Sequence, residues 1–311
     1  MLFLKKYGIK IIGYIIMAVT FYFLVNKIIS FDVDYSYILQ PMVIIKMIVM
    51  VLIMTIAISG WSLNWKWILE FLAKQSVNKN ESFTVFAKSN LGKYLPGNVM
   101  QYANRNIYGN KLGLSQIQLA ISSVIELGLQ GISAIFVGMI LSREVLRKYL
   151  WEYGGNFFLQ HALILSLVLV LVSVVLISII FVKRKQVKSL LGQYINKSMI
   201  ILATKVVFID ILALLVQGAL LAYVISWFVS ISSANVLLVI SSFAVAWFVG
   251  FVVPGAPGGI GIREAMLTIL LGDVCSTSII LLAIIIHRIV SIFADVMLFA
   301  IGVLIAQKKN G

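Results

Sequence analysis

Apolar residues run along this chain in blocks of about twenty. They show neither the two-residue alternation of a half-buried strand nor the polar stripe of a soluble amphipathic helix. The pattern predicts membrane-crossing helices at about residues 8–29, 42–63, 114–141, 161–182, 204–226, 234–253 and 276–305, each near or above the ~20 residues that span a bilayer. Two interruptions break it. One reads Lys93-Tyr-Leu-Pro96-Gly97-Asn98, and the other Val253-Pro254-Gly255-Ala-Pro257-Gly258-Gly259. Hydrocarbon offers no water to a bare backbone, so helix breakers at membrane depth belong where they line a cavity or lie buried in protein. A pair of them in the two halves of a chain points to a transporter-like binding site. The regions around them, 64–113 and 254–275, are therefore expected to hold re-entrant or half-length helices.

Composition narrows the class. The 311 residues are 61% hydrophobic and 12% charged, and residues 211–262 contain no Asp, Glu, Lys or Arg. The expectation is an all-α, polytopic membrane bundle of seven or eight crossings, with the whole of 1–311 as one unit. A β-barrel would need alternating strands. The single Cys275 and the two histidines, His161 and His287, argue against a disulfide framework and against a zinc or di-iron centre. No metal and no cofactor is expected. The net charge of +14 is read as basic loops on the cytoplasmic side rather than a nucleic-acid footprint. With the N-terminus inside, seventeen basic residues fall on inner segments against Lys27, Arg143, Arg147 and Lys148 outside. The early lysines Lys5, Lys6 and Lys10 precede an apolar run without a small-residue cleavage site, which reads as a retained helix.

Few ionisable groups lie deep in the predicted helices: Glu126, Asp210, Arg288 and Asp295. Such groups cost ~2.5–3.5 kcal/mol on insertion scales and mark functional sites by default. Two readings stand for them. One is an ion-pair lock between helices, with Glu126 or Asp210 satisfying Arg288. The other is an arginine that receives an anionic head group, with Glu126, Asp210 and Asp295 balancing charge or carrying protons. His287 is expected to be a satisfied core histidine. Around the first break, a helix opening at Pro96 or Gly97 would place Asn98, Gln101 and Arg105 on one polar face, with Lys93 just ahead. That suits phosphate at a helix N-terminus or an amphipathic hairpin on anionic lipid. The second break leads through Gly261 into Arg263 and Glu264, which suits a phosphate again. No Gly-Lys-Ser/Thr follows, so this is not a nucleotide-hydrolysing loop. A weak rival signal is Asp32-Val-Asp34 in the first outer loop, as expected of a membrane glycosyltransferase using a lipid-linked sugar.

Residues 92–98 (Gly-Lys-Tyr-Leu-Pro-Gly-Asn) with Gln101 and Arg105, residues 257–264 (Pro-Gly-Gly-Ile-Gly-Ile-Arg-Glu) and His287-Arg288-Ile289 together resemble the lysylphosphatidylglycerol synthase transmembrane-region family. That family includes the flippase half of the multiple peptide resistance factor. The resemblance implies a lipid-translocating bundle in the cytoplasmic membrane rather than an enzyme, with membrane lipids as partners. Its cargo would be an anionic phospholipid or a polyprenyl-phosphate-linked lipid, and proteins of envelope-glycan assembly are possible associates. It assigns Lys93, Asn98, Gln101, Arg105, Arg263, Glu264 and Arg288 to the head group. The aminoacyltransferase domain of the best-known members is absent, so lipid aminoacylation is not expected.

Overall fold

The computed structural model describes residues 39–94, 100–141, 197–252, 259 and 261–310. Every regular element among them is helical. Helix α1 spans Pro41–Ala73, α2 Lys79–Asn90, α3 Met100–Gly109, α4 Gln116–Leu141, α5 Lys197–Ile225, α6 Ser233–Val252, α7 Ile262–Leu271 and α8 Thr277–Asn310. A short 3-10 turn, Leu91–Tyr94, follows α2. Five of these, α1, α4, α5, α6 and α8, are long and apolar enough to cross a membrane. They coincide with five of the seven expected crossings. The other two expected crossings, 8–29 and 161–182, lie outside the described residues. So do Asp32 and Asp34, and Pro96, Gly97, Asn98, Pro254, Gly255, Pro257 and Gly258.

One boundary needs correction. The second crossing is expected to end near residue 63, with re-entrant or half-length helices in 64–113. Helix α1 instead continues to Ala73 and closes on Lys74 in the left-handed conformation, φ 53°. The polar residues beyond 63 have helical partners. Lys66 pairs with Glu70 one turn on at 2.6 Å, Trp65 Nε1 donates to Ser122 Oγ on α4 at 3.0 Å, and Asn64 is fully buried against α5. Pro41 opens the helix where its missing N–H has no intrahelical acceptor to lose.

The inner side of α1 carries Met50, Met54, Ile58, Trp61 and Trp65 at three- and four-residue steps, all buried. Its outer side exposes Ile44, Ile45, Ile48, Leu52 and Ile56, an apolar surface suited to lipid. Helices α4, α5 and α6 pack on one another and α1 packs on α4 and α5, while α8 runs beside α1 and α2. Where lipid replaces water there is little hydrophobic gain from joining helices, so close backbone approach and dispersion carry the packing. Gly218 of α5 makes one such contact: a Cβ there would sit 2.7 Å from Ile240 Cα on α6. A Cβ on Gly302 of α8 would sit equally close to Ala87 Cβ on α2, and Thr84 Oγ1 donates to the Gly302 carbonyl at 3.2 Å. Gly218→Ala is expected to destabilise the fold by about 1–3 kcal/mol, because backbone rather than a movable side chain blocks the methyl. Gly128→Ala, whose Cβ would meet nothing within 4 Å, is expected to leave the melting temperature in detergent unchanged or slightly raised.

Each break is flanked by a short helix packed on its neighbour. Helix α3 lies on α2, close enough that a Cβ on Gly92 would be 2.7 Å from the Gln101 amide nitrogen. Helix α7 lies on α6. It begins at Gly261, whose φ of 88° only glycine adopts without strain. The Glu264 carboxylate accepts the Gly261 N–H at 2.6 Å, satisfying one of the free donors of that helix end.

Candidate functional site

The flanks of the two breaks converge on one cavity of about 70 Å³. That is room for a few waters or one compact anion. From the first break come Lys93 and Tyr94 of the 3-10 turn and Gln101, Tyr102 and Arg105 of α3. From the second comes Arg263 of α7. Helix α4 supplies Glu126 and Gln130, and α8 supplies Arg288 and Ser291. Trp61 of α1 and Trp247 of α6 complete the apolar wall.

Three ion pairs organise its charge. Lys93 Nζ lies 2.7 Å from Oδ2 and 2.9 Å from Oδ1 of Asp295, which is fully buried. Asn90 Nδ2 at 2.7 Å and the Tyr94 hydroxyl also donate to that carboxylate. Tyr94 sits outside the five long helices. Burial first, and the Asp295 charge second, push its phenol well above the ordinary tyrosine range, which keeps it a donor. Arg105 Nη1 pairs with Glu126 Oε2 at a site where both residues are almost completely buried. Gln130, one turn along α4, donates to the other oxygen at 3.4 Å. The Arg105 guanidinium also faces Phe86 at 4.4 Å, Tyr102 at 5.3 Å and Trp65 at 5.4 Å from the ring centroids. Aromatic faces attract a desolvated cation. Arg288 Nε pairs with Glu264 Oε1 at 2.5 Å, and its Nη2 donates to the Gly259 carbonyl at 3.3 Å. Gly259 has φ 72°, which aims that carbonyl without side-chain strain.

The fourth cation differs. Arg263 stacks near Trp247, 5.7 Å from its centroid, and its buried Nε has no hydrogen-bond acceptor. Among the described residues, four cations thus face three carboxylates, leaving a net charge of +1 at the cavity. Two further buried donors on the same wall, Arg105 Nε and Trp61 Nε1, also lack an acceptor. Buried donors are nearly always satisfied, so three orphans around one cavity call for an acceptor-rich occupant.

These partners revise the expected ones. Arg288 is met by Glu264, not by Glu126 or Asp210, because Glu264 comes from the helix that opens directly beside it. Glu264 is therefore a counter-ion and helix cap at once. Asp295 serves Lys93. Arg105 does not lie on an interfacial surface: it is 2% exposed and inside the bundle. Asp210 does not line the cavity; it faces Asn64 across the α1–α5 contact. His287 Nε2 sits 3.0 Å from the Gln217 carbonyl, with Phe243 edge-on to its ring. Asn90, Tyr94, Trp61 and the aromatic surround of Arg105 escaped sequence reasoning. Only Gln130, four residues after Glu126 on the same helix face, left a readable signal.

Comparison with protein-family models, with curated proteins and with solved structures finds no match.

Proposed function

We infer that this protein moves an anionic lipid across the cytoplasmic membrane, with the head group sheltered in the cavity between the two breaks and the hydrocarbon left in the bilayer. The observation that carries this is the trio of unanswered donors, Trp61 Nε1, Arg105 Nε and Arg263 Nε, around a cavity whose charges sum to +1. Phosphate and other oxyanions supply several acceptor lone pairs to such donors, and guanidinium matches them in geometry as well as charge. Arg263 and Arg288 hold the head group from the second break, Lys93, Gln101 and Arg105 from the first. Asn98 is assigned to the same task. Glu126, Glu264 and Asp295 act as stand-ins, keeping the cations paired when no head group is bound. The two breaks are read as re-entrant, and the N-terminus as cytoplasmic from the basic residues of the inner segments. The motif resemblance to the lysylphosphatidylglycerol synthase transmembrane region points to the same cargo class, and it stands on those motifs alone.

Reconstitution into phosphatidylcholine vesicles doped with fluorescent phosphatidylglycerol tests this reading. The protein is expected to expose inner-leaflet label to a membrane-impermeant quencher faster than empty vesicles do. Arg288→Ala is expected to slow this by roughly tenfold or more, the loss of a charge-assisted hydrogen bond worth about 1.5–3 kcal/mol. A variant that flips at the wild-type rate would remove Arg288 from the role.

A further inference from the structure

Among the described residues, three unanswered buried donors, Trp61 Nε1, Arg105 Nε and Arg263 Nε, line the cavity, Trp227 Nε1 and the Asn106 oxygen stand apart from it, and two acceptors sit together between α1 and α5. Asp210 Oδ2 and Asn64 Oδ1 are both buried without a donor. The two side chains already touch, since Asn64 Nδ2 donates to Asp210 Oδ1 at 2.8 Å, and to the Val206 carbonyl at 3.2 Å. Asp210 is 1% exposed and Asn64 0%.

Among the described residues, no cation answers this carboxylate. Its own helix carries Lys197, whose place at the first residue of α5 is thirteen residues away, and Lys205, which faces Trp67 at 5.8 Å. From α1, Lys66 is paired with Glu70, and Lys46 lies over Trp227 at 5.1 Å. Helix α4 brings only Glu126, held by Arg105. Helix α6 has no ionisable residue. Helix α8 brings His287, Arg288 and Asp295, engaged by Gln217, Glu264 and Lys93, and Lys308 and Lys309 near its far end. An isolated carboxylate taken out of water without a counter-ion is far costlier than the neutral acid.

We propose that Asp210 and Asn64 form a proton-binding site between α1 and α5, in which a proton on Asp210 Oδ2 turns an orphan acceptor into a donor beside the orphan Asn64 oxygen. The amide then gives one hydrogen bond to the acid and has an oxygen to take one back. Helix α4, packed on α5, brings Glu126, which is also the counter-ion of Arg105 in the cavity. An anion that draws Arg105 away from Glu126 leaves a second carboxylate without a counter-ion in the packed helices, which favours keeping the proton on Asp210. Proton on Asp210 and anion in the cavity therefore support each other, and by linkage the effect is reciprocal. This coupling rests on the lipid-moving reading; the proton site itself does not.

Infrared difference spectra of the full chain in maltoside micelles, whose detergent has no carbonyl, test the site at neutral pH. Wild type minus Asp210→Asn is expected to show a protonated-carboxyl C=O band that disappears in the variant. In Asn64→Ala the band is expected to remain and shift, because its amide partner is gone. Asp210→Asn has the shape of the neutral acid and is expected to accumulate and melt like wild type. Absence of the band, a band unmoved in Asn64→Ala, or a collapse of Asp210→Asn each overturns the proposal. Flipping of fluorescent phosphatidylglycerol tests the coupling separately: wild type is expected to slow several-fold as the pH rises from neutral into the alkaline range, where the acid ionises, and Asp210→Asn to lose that dependence. A band without any flipping would keep the proton site and remove the lipid reading. Equal pH dependence in both proteins would overturn the coupling.

Discussion

Arg105→Leu made alone is expected to destabilise the protein by about 3–5 kcal/mol, and Arg105→Leu combined with Glu126→Leu to recover most of that loss. Both partners of this pair are almost completely buried, at 2% and 1% exposure. Removing the arginine strands Glu126 with a single long hydrogen bond from Gln130, and an uncompensated buried charge costs several kcal/mol. Removing both ends removes the stranded charge as well, and well-packed apolar replacements of a buried pair are often neutral or better. The wall around them, Phe86, Tyr102 and Trp65, is apolar enough to receive two leucines. Thermal melting in detergent of the wild type, both single variants and the double variant closes the cycle. The double variant is also expected to be inactive in flipping. Stability and transport then part company, which a purely structural ion pair does not predict.

Arg263→Ala is expected to do the reverse: flipping falls roughly tenfold to a hundredfold, while the fold is untouched or slightly firmer. Among the described residues its guanidinium forms no ion pair with a carboxylate, and its Nε meets no acceptor, so the resting protein loses little when it goes. What goes with it is the excess positive charge of the cavity and a charge-assisted donor worth about 1.5–3 kcal/mol to a bound anion. Arg263→Lys is expected to restore only part of the rate, since an ammonium keeps the charge but loses the planar fork. Parallel loss of accumulation and transport in Arg263→Ala would instead make the residue structural.

The long helices were legible because each is a run of apolar residues longer than a soluble core requires. Their partners were not, and the reason is physical. Periodicity along one helix says which residues share a face, but not which residue of another helix meets that face. Arg288 and Asp295 were seen to need partners from elsewhere, yet Glu264 and Lys93 come from short elements beside the breaks. Asn64 and Lys66 fall beyond the end expected for the second crossing, because polarity in a membrane sequence ordinarily means an exit from the bilayer. Here Asn64 is buried against Asp210, and Lys66 pairs with Glu70 along its own helix. Gly218, Gly302 and Gly92 carry no local signal at all; they are fixed by how closely another backbone approaches. The convergence of the two breaks was an expectation from helix breakers alone. The flanking residues that line the cavity are the part of that expectation the described residues reach.

A cryo-electron microscopy map of the protein in nanodiscs rich in phosphatidylglycerol bears on all of this most directly. Density for a phosphate within hydrogen-bond reach of Arg263 and Arg105, with Glu264 or Glu126 drawn back from its arginine, is the expected result. Head-group density confined to the outer surface of the bundle, with all three ion pairs intact and Arg263 facing only water, would contradict it.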